Sequence, residues 1–408
     1  MSQGGYTTRT TCRVCGADKL TPLFSLGDLY VSTFVDKPGD SIGKAPLEMV
    51  YCENCTLLQL KHTAPQELMY SRHYWYRSGI NPVITSDLKD IAEVAQRMVP
   101  LRQGDIVLDI GTNDGTMLKF YPEHVIRVGC EPADNLIEEV RKVTPYVIHD
   151  FWNYEAWQNL MGDKKAKIVT AIGMFYDMED PGQFISDAAK VLDESGVFIA
   201  QLMCLRPMLE KNDVGNICHE HLEFYSYKSL VYLFEHNGLE IFKVEENSIN
   251  GGSYRLFARH LSPFGRSFRK TGSIEYPEKL TKQDYQDFYR RIEENKQKCA
   301  EFIKGEAAKG KKIYAYGAST KGNTILQYYG LDHSVITGAA DKSEEKWGKY
   351  TVGTNIPIVS EEEARQKADY FFVLPWAFFD TFFEREKEWM RKGGKFVVSI
   401  PEFRIAGL

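Results

Sequence analysis

No stretch of the 408 residues is apolar for the ~18 residues that a membrane span requires, so no membrane partner is expected. Basic character is also scarce. Fifty Lys and Arg against 56 Asp and Glu leave a net charge of −6, and a chain without a basic footprint is a poor match for a nucleic acid backbone. The opening "MSQGGYTTRTTCRVCG" has no apolar segment of the signal-peptide kind, which makes the cytoplasm the expected compartment. Low-complexity tracts and short repeats are absent, and the composition, 43% hydrophobic and 26% charged, is that of a globular protein with room for a large core. Cysteine is sparse, and its placement is informative. Four of the eight, Cys130, Cys204, Cys218 and Cys299, are scattered; the other four form "CRVC" and "CENC". In a reducing compartment such pairs suggest metal rather than disulfides. Cys12, Cys15, Cys52 and Cys55 match a tetrahedral, closed, structural Zn2+ site.

The hydrophobic pattern divides the rest. Residues 1–70 read as a zinc-binding module of turns and short strands. Residues 82–99 have Ile84, Leu88, Ile91, Val94 and Met98 at helical spacing. Strand and helix patterns then alternate: "DIVLDIG", a helix in "DGTMLKFYPE", "VIRVGCEP", "NLIEEVRKV", "YVIHD", "AKIVTAIGMF", "PGQFISDAAKVL" and "GVFIAQLM". That alternation predicts a parallel sheet covered on both faces. After a linker at 261–278 and a long helix over 280–309, a second α/β block begins at "KKIYAYGAST". The predicted fold is α/β. It comprises a zinc-binding module (1–70), a central Rossmann-like domain (71–260), and a C-terminal Rossmann-like α/β domain (261–408).

"VLDIGTNDGT" follows the first strand of the central domain. Its D-x-G-x-x-x-G spacing, through Asp109, Gly111, Asn113 and Gly115, is not the GxGxxG of a dinucleotide site. An acid, Glu131, ends the next strand, where it is placed to accept ribose hydroxyls. Together these predict an S-adenosylmethionine site of the class I methyltransferase type, which makes 71–260 a methyltransferase domain and 261–408 the expected substrate-binding domain. Asp109 and the loop face the methionine part, Glu131 the ribose, Asp150 and Phe151 the adenine, and Met174 in "GMFYDMED" closes the pocket.

"ICHEHLEFYS" (217–226) places His219, Glu220 and His221 together. The zincin spacing fails because the fifth position is Glu223. A solvated charge run fits badly with Ile217, Leu222, Phe224 and Tyr225. An acid/base centre remains, since a histidine beside a carboxylate titrates near neutral pH. In the C-terminal block, "YGASTKGNT" puts Ser319, Thr320, Lys321 and Asn323 around a strand-to-helix turn suited to phosphate. The turn either binds ligand or only packs. Arg255 in "GGSYRLF" is a substrate-contact candidate or a structural arginine.

This ordered set resembles the sugar C-methyltransferases that act on nucleotide-linked 4-keto-deoxysugars. The resemblance spans nearly the whole chain and rests on CxxC…CxxC, DIGTNDGT, the HEH run, "INGGSYRLFA" and "YGASTKGNT". It implies that His221 is the base, that Glu220 assists it, that Tyr76 in "YWYRSG" lines the reaction centre, and that His219 contacts substrate. The family often has Tyr where this chain has Cys218, and Tyr-x-Tyr-x-Ser-Ser where it has "YWYRSGIN". The expected partner is a nucleotide-diphosphate keto-sugar, and the expected state a monomer. The rival readings are an O- or N-methyltransferase or a C-methyltransferase acting on a non-sugar ketone, a NAD-dependent oxidoreductase using the "YGAST" turn, and a non-catalytic nucleotide-sugar binder.

Overall fold

The computed structural model describes residues 5–70, 73–261 and 280–408; apart from Leu261, the predicted linker lies outside the described residues. The N-terminal module is built on antiparallel strands β1 (Leu20–Tyr30), β2 (Lys44–Cys52) and β3 (Leu58–Leu60). Leu20 pairs with Cys52, so the turn before β1 and the turn after β2 lie side by side. Each turn closes with an amide on its first cysteine carbonyl, Gly16 on Cys12 at 2.9 Å and Thr56 on Cys52 at 3.0 Å.

Helix α1 (Pro82–Met98) starts where Asn81 accepts the Val83 amide and Pro82 sets the first turn. Ile84, Leu88 and Ile91 are buried as their spacing predicts, whereas Val94 is only half-buried. Strands β4 (Ile106–Ile110) and β5 (Ile126–Cys130) follow, then α2 (Ile137–Arg141), β6 (Tyr146–Ile148), α3 (Tyr154–Met161), β7 (Ala166–Ile172), α4 (Pro181–Val191) and β8 (Leu192–Met203). The helix expected over "DGTMLKFYPE" is only a 3-10 turn, Met117–Phe120. Gly115, at φ +74°, cannot continue a right-handed helix backwards, and Pro122 stops it forwards.

After β8 the chain leaves the sheet through α5 (Leu205–Glu210) and crosses to the N-terminal module. There β9 (Glu223–Phe224) pairs antiparallel with β3. It returns through α6 (Tyr227–His236), β10 (Leu239–Asn247) and β11 (Ser253–His260), giving one seven-stranded sheet, β10-β11-β8-β7-β4-β5-β6. Only β11 runs against its neighbours.

Helix α7 (Lys282–Ala308) leads to β12 (Ile313–Tyr316), α8 (Thr320–Tyr329), β13 (Gly338–Asp341), β14 (Ile358–Ser360), β15 (Tyr370–Val373), β16 (Lys395–Val398) and β17 (Arg404–Ala406), ordered β14-β13-β12-β15-β16-β17. The N-terminal module is wedged between the two larger sheets. Phe24, Leu47, Met49 and Leu60 share a core with Phe288, Ile292, Ile325 and Phe372, while Cys12, Cys55 and Leu57 pack into the core of the seven-stranded sheet. Each such buried large side chain contributes roughly 1.5–3 kcal/mol, so both cores hold the wedge in place.

Candidate active site between two switch points

In each large sheet the strand order reverses beside one central strand. For β4 the neighbours are β5 and β7; for β12 they are β13 and β15. Such switch points open a crevice at the carboxyl ends of the strands. Here both crevices face a single cavity of about 590 Å³. Gly111, Asn113, Glu131 and Met174 line it from the first sheet, and Ser319, Thr320 and Lys321 from the second.

On the first side the loop after β4 is tightly specified. Gly111 has φ +70°, and a Cβ there would lie 2.7 Å from Met174 Cγ, so only glycine fits. Glu131 accepts the Asn113 amide at 2.9 Å and the Ala133 amide at 3.0 Å. Burial pushes Glu131 up to about 7 against the pull of those amides. A desolvated acid without a cation, facing a cavity, suits ribose hydroxyls. The Asn113 side chain donates to the Tyr76 carbonyl at 3.0 Å and accepts the Ser78 amide at 2.9 Å, tying the 74–80 segment across the loop. Phe151 and Trp152 line the same end of the cavity.

Three residues expected on this side do not line the cavity. Asp109 lies beneath the loop, where it accepts the Thr170 hydroxyl at 2.6 Å; burial raises it to about 6. Gly115 is needed for packing, since a Cβ there would meet Val143 at 3.2 Å. Asp150 accepts its own neighbour's amide, from Phe151, at 2.7 Å and faces a shallow outer hollow rather than the cavity.

The 217–224 segment is held from two sides. The amides of Leu222 and Glu223 donate to the Tyr176 carbonyl at 2.8 and 3.1 Å, and the Leu60 amide donates to the Leu222 carbonyl at 2.9 Å. His221 therefore sits in the cavity wall, its ring edge-on to Tyr176 at 4.5 Å. Its Nδ1 donates to the Asn216 carbonyl at 2.8 Å. A carbonyl can only accept, so the hydrogen bond assigns the proton to Nδ1 and leaves a lone pair on Nε2. Burial, then the Lys321 charge, hold the imidazole well below its ordinary range; it is neutral at pH 7.

Asn216 thus orients the imidazole through its carbonyl. Its side chain also accepts Lys321 Nζ at 2.8 Å, so one residue fixes both the imidazole and the ammonium. Glu220 itself lines the cavity, raised by burial against the Cys218 thiol, the Thr320 hydroxyl and Lys321. Tyr76 is in the wall with its ring 46% exposed.

His219 points away from the cavity and donates from Nε2 to the Ala45 carbonyl at 2.8 Å in the N-terminal module; burial lowers it to about 4. Arg255 is structural, bound to Asp87 at 2.9 Å, Asp90 at 2.6 Å and Gln201 at 3.1 Å. It acts only through Asp87 and Gln201, which do reach the cavity. Asn323 is buried against the Thr33 carbonyl at 3.4 Å and does not line the cavity. Ser319 caps α8, accepting the Gly322 amide at 3.0 Å. Asn216, Tyr176, Asp177, Tyr70 and Tyr74 line the cavity without a sequence signal that singles them out.

The four CxxC sulfurs lie within 4.8 Å of one another, with Cys12–Cys55 and Cys15–Cys52 each at 3.5 Å. A tetrahedral zinc with Zn–S of about 2.3 Å needs such a set. None of the four lines the cavity, so the metal is structural. Arg13, between the first two ligands, is buried. It bonds Glu179 at 3.3 Å and Thr63 at 2.6 Å, and lies 3.7 Å from Glu223.

The oxidoreductase alternative meets an obstacle. Asp341 ends the strand after β12, where a dinucleotide fold keeps its ribose acid. It is already taken by the Ala318 amide at 2.8 Å, the Ser343 amide at 2.9 Å and Lys346 at 3.3 Å.

Three family profiles match in succession: a zinc binding domain over residues 12–70, a methyltransferase domain over 85–244, and a C-methyltransferase C-terminal domain over 248–401. The chain is 28% identical to the C-methyltransferase NovU of Streptomyces niveus, over 97% of this chain and 96% of that one. Solved structures overlap the chain more loosely. An S-adenosylmethionine-dependent methyltransferase from Clostridium acetobutylicum has 10% identity and TM-score 0.34 over 44% of this chain and 92% of that one. The CcbJ methyltransferase from Streptomyces caelestis has 13% identity and TM-score 0.35 over 46% of this chain and 100% of that one. No helix of the described residues is long and apolar enough to cross a membrane.

Proposed function

We propose that this chain, an S-adenosylmethionine-dependent C-methyltransferase with a zinc-binding module, methylates the carbon alpha to the ketone of a nucleotide-linked keto-deoxysugar through an enolate. The observation that carries this reading is the position of His221. Its free Nε2 lies in a cavity shared by both switch points, next to an ammonium.

Glu131 and the Gly111–Asn113 turn would hold the cofactor, with Phe151 and Met174 beside it. When bound, the cofactor supplies an electrophilic methyl on sulfur. The acceptor enters from the side of Ser319, Thr320 and Lys321. His221 Nε2 removes the proton alpha to the ketone. A desolvated imidazole is unprotonated before the reaction, so no proton must first be lost. The charge that forms on the carbonyl oxygen lies within the field of Lys321. One well-aimed donor is worth about 3 kcal/mol in such sites. The enolate carbon then takes the methyl, and fixing both partners in one cavity avoids the entropy cost of bringing them together. The 74–80 segment, pinned to Asn113, brings Tyr76 to the cavity wall. No cysteine forms a disulfide, which suits a reducing compartment.

The test uses a keto-sugar deuterated at the alpha carbon. The native enzyme washes out deuterium and transfers methyl to carbon. His221→Asn lowers both by about 10³-fold, within the range for general base catalysis, and still binds S-adenosylhomocysteine. Full turnover by the variant, or methyl recovered on oxygen or nitrogen, overturns the reading.

A further inference from the structure

The wall behind His221 includes a short turn, Val214–Asn216, between α5 and β9. The C-terminal block grips this stretch of chain. Arg291 on α7 donates to the Leu209 carbonyl and to the Asn212 side chain, both at 2.8 Å, and Asn212 donates to the Pro401 carbonyl at 2.8 Å. Trp376 packs over Gly251, where a Cβ would lie 2.7 Å from its ring, and its indole bonds to the Asp213 carboxyl.

Asn216 has a different partner on each of its polar groups. Its carbonyl accepts His221 Nδ1, its side-chain oxygen accepts Lys321 Nζ, and its side-chain amide donates to Asp213 Oδ2, each at 2.8 Å. Its backbone amide donates to the Asp213 carbonyl at 3.2 Å. An ammonium can only donate and an ionised carboxyl can only accept, whereas a side-chain amide has one end of each kind. Asp213 and Lys321 therefore fix the amide in one sense. Both Asp213 and Asn216 are buried. Burial raises Asp213, and the Lys321 charge, the Trp376 indole, the Gly215 amide and the Lys211 charge oppose it. Lys321 depends on this arrangement. Among the described residues its other hydrogen-bond contact is Met203 Sδ at 3.6 Å, a weak acceptor.

We infer that Asp213 is a positioning residue for the reaction: by fixing the sense of the Asn216 amide it holds Lys321 at the ketone oxygen and, through the turn, His221 Nε2 at the proton. The inference rests on the reading of His221 as base and Lys321 as oxyanion donor, and it adds the group that sets one against the other. Lys321 and Trp376 both belong to the C-terminal block. Docking of that block therefore completes the proton-transfer centre as well as the cavity.

The experiment exchanges the two side chains. Washout of deuterium from the alpha carbon of a nucleotide-linked 4-keto-deoxysugar is followed above neutral pH, where carboxyl groups ionise, with the full-length, zinc-loaded enzyme. Asn216→Asp sets two carboxylates face to face, and washout should fall at least about tenfold. Adding Asp213→Asn in the same chain returns a donor opposite an acceptor and should recover most of that loss. S-adenosylhomocysteine binding shows that each variant is folded. If Asn216→Asp does not bind it, Asp213→Leu takes its place and should be at least about tenfold slower than Asp213→Asn, which keeps an acceptor oxygen. Native washout in Asn216→Asp, no recovery in the exchanged pair, or equal rates for Asp213→Leu and Asp213→Asn overturns the inference and leaves the C-methyltransferase reading intact. A native enzyme that neither washes out deuterium nor methylates carbon overturns both.

Discussion

Strands β4 and β12 occupy equivalent places in their sheets. Each is followed by a glycine turn, and each has an acid at the end of the neighbouring strand, Glu131 or Asp341. Both acids accept two backbone amides. They differ in one respect: Asp341 has its own cation, Lys346 at 3.3 Å, whereas Glu131 has none and lines the cavity. The same backbone geometry thus leaves one acid open to the cavity and closes the other on itself. Around His221, Glu179 and Glu223 have Arg13 nearby, whereas Asp177 has only the attraction of Lys321 and a hydrogen bond from Tyr70.

Removing a resident cation should break this pattern most severely. Arg13→Met leaves Glu223 buried and unpaired, at a cost of about 3–5 kcal/mol, read as a large loss of thermal stability with the zinc content measured alongside. Lys321→Met should lower kcat by about 10², the worth of one donor at the oxyanion. It should also move the acidic limb of kcat/KM to higher pH. The base works unprotonated, so activity is lost as pH falls through the His221 pKa; that pKa lies below 6.5 and rises when the neighbouring positive charge is removed. Glu131→Gln should weaken S-adenosylhomocysteine by about 2 kcal/mol, some thirtyfold, in calorimetry. Asp341→Asn should leave that affinity unchanged and cost only about 1 kcal/mol of stability. A weaker cofactor complex in Asp341→Asn than in Glu131→Gln would reverse the assignment of the two turns.

Local patterns in the chain explain much of this. The two CxxC pairs, the apolar strands of both sheets, Gly111 and Glu131 are legible because each depends on neighbours close in sequence. The "DGTMLKFYPE" helix is an error of local reading, since the periodicity ignored the left-handed conformation that Gly115 takes against α2. His219 and His221 show the limit most clearly. Two residues apart, they look equivalent, but pairing of β9 with β3 turns one toward Ala45 and the other into the cavity. Arg255 and Asn323 have side chains able to bind substrate, and Asp87 and Thr33, far away in sequence, take them first.

The sequence by itself determined the four-cysteine cluster, the α/β alternation, the glycine turn after β4 and the histidine–carboxylate run, because these follow from residue type, spacing and backbone conformation over a few positions. Only the tertiary structure decided that two switch points share one cavity, that the Asn216 carbonyl sets the His221 tautomer, and which acids keep a cation. Those outcomes depend on which charges and hydrogen-bond donors meet across long separations in the chain, and desolvation has no value until the walls of the cavity are in place.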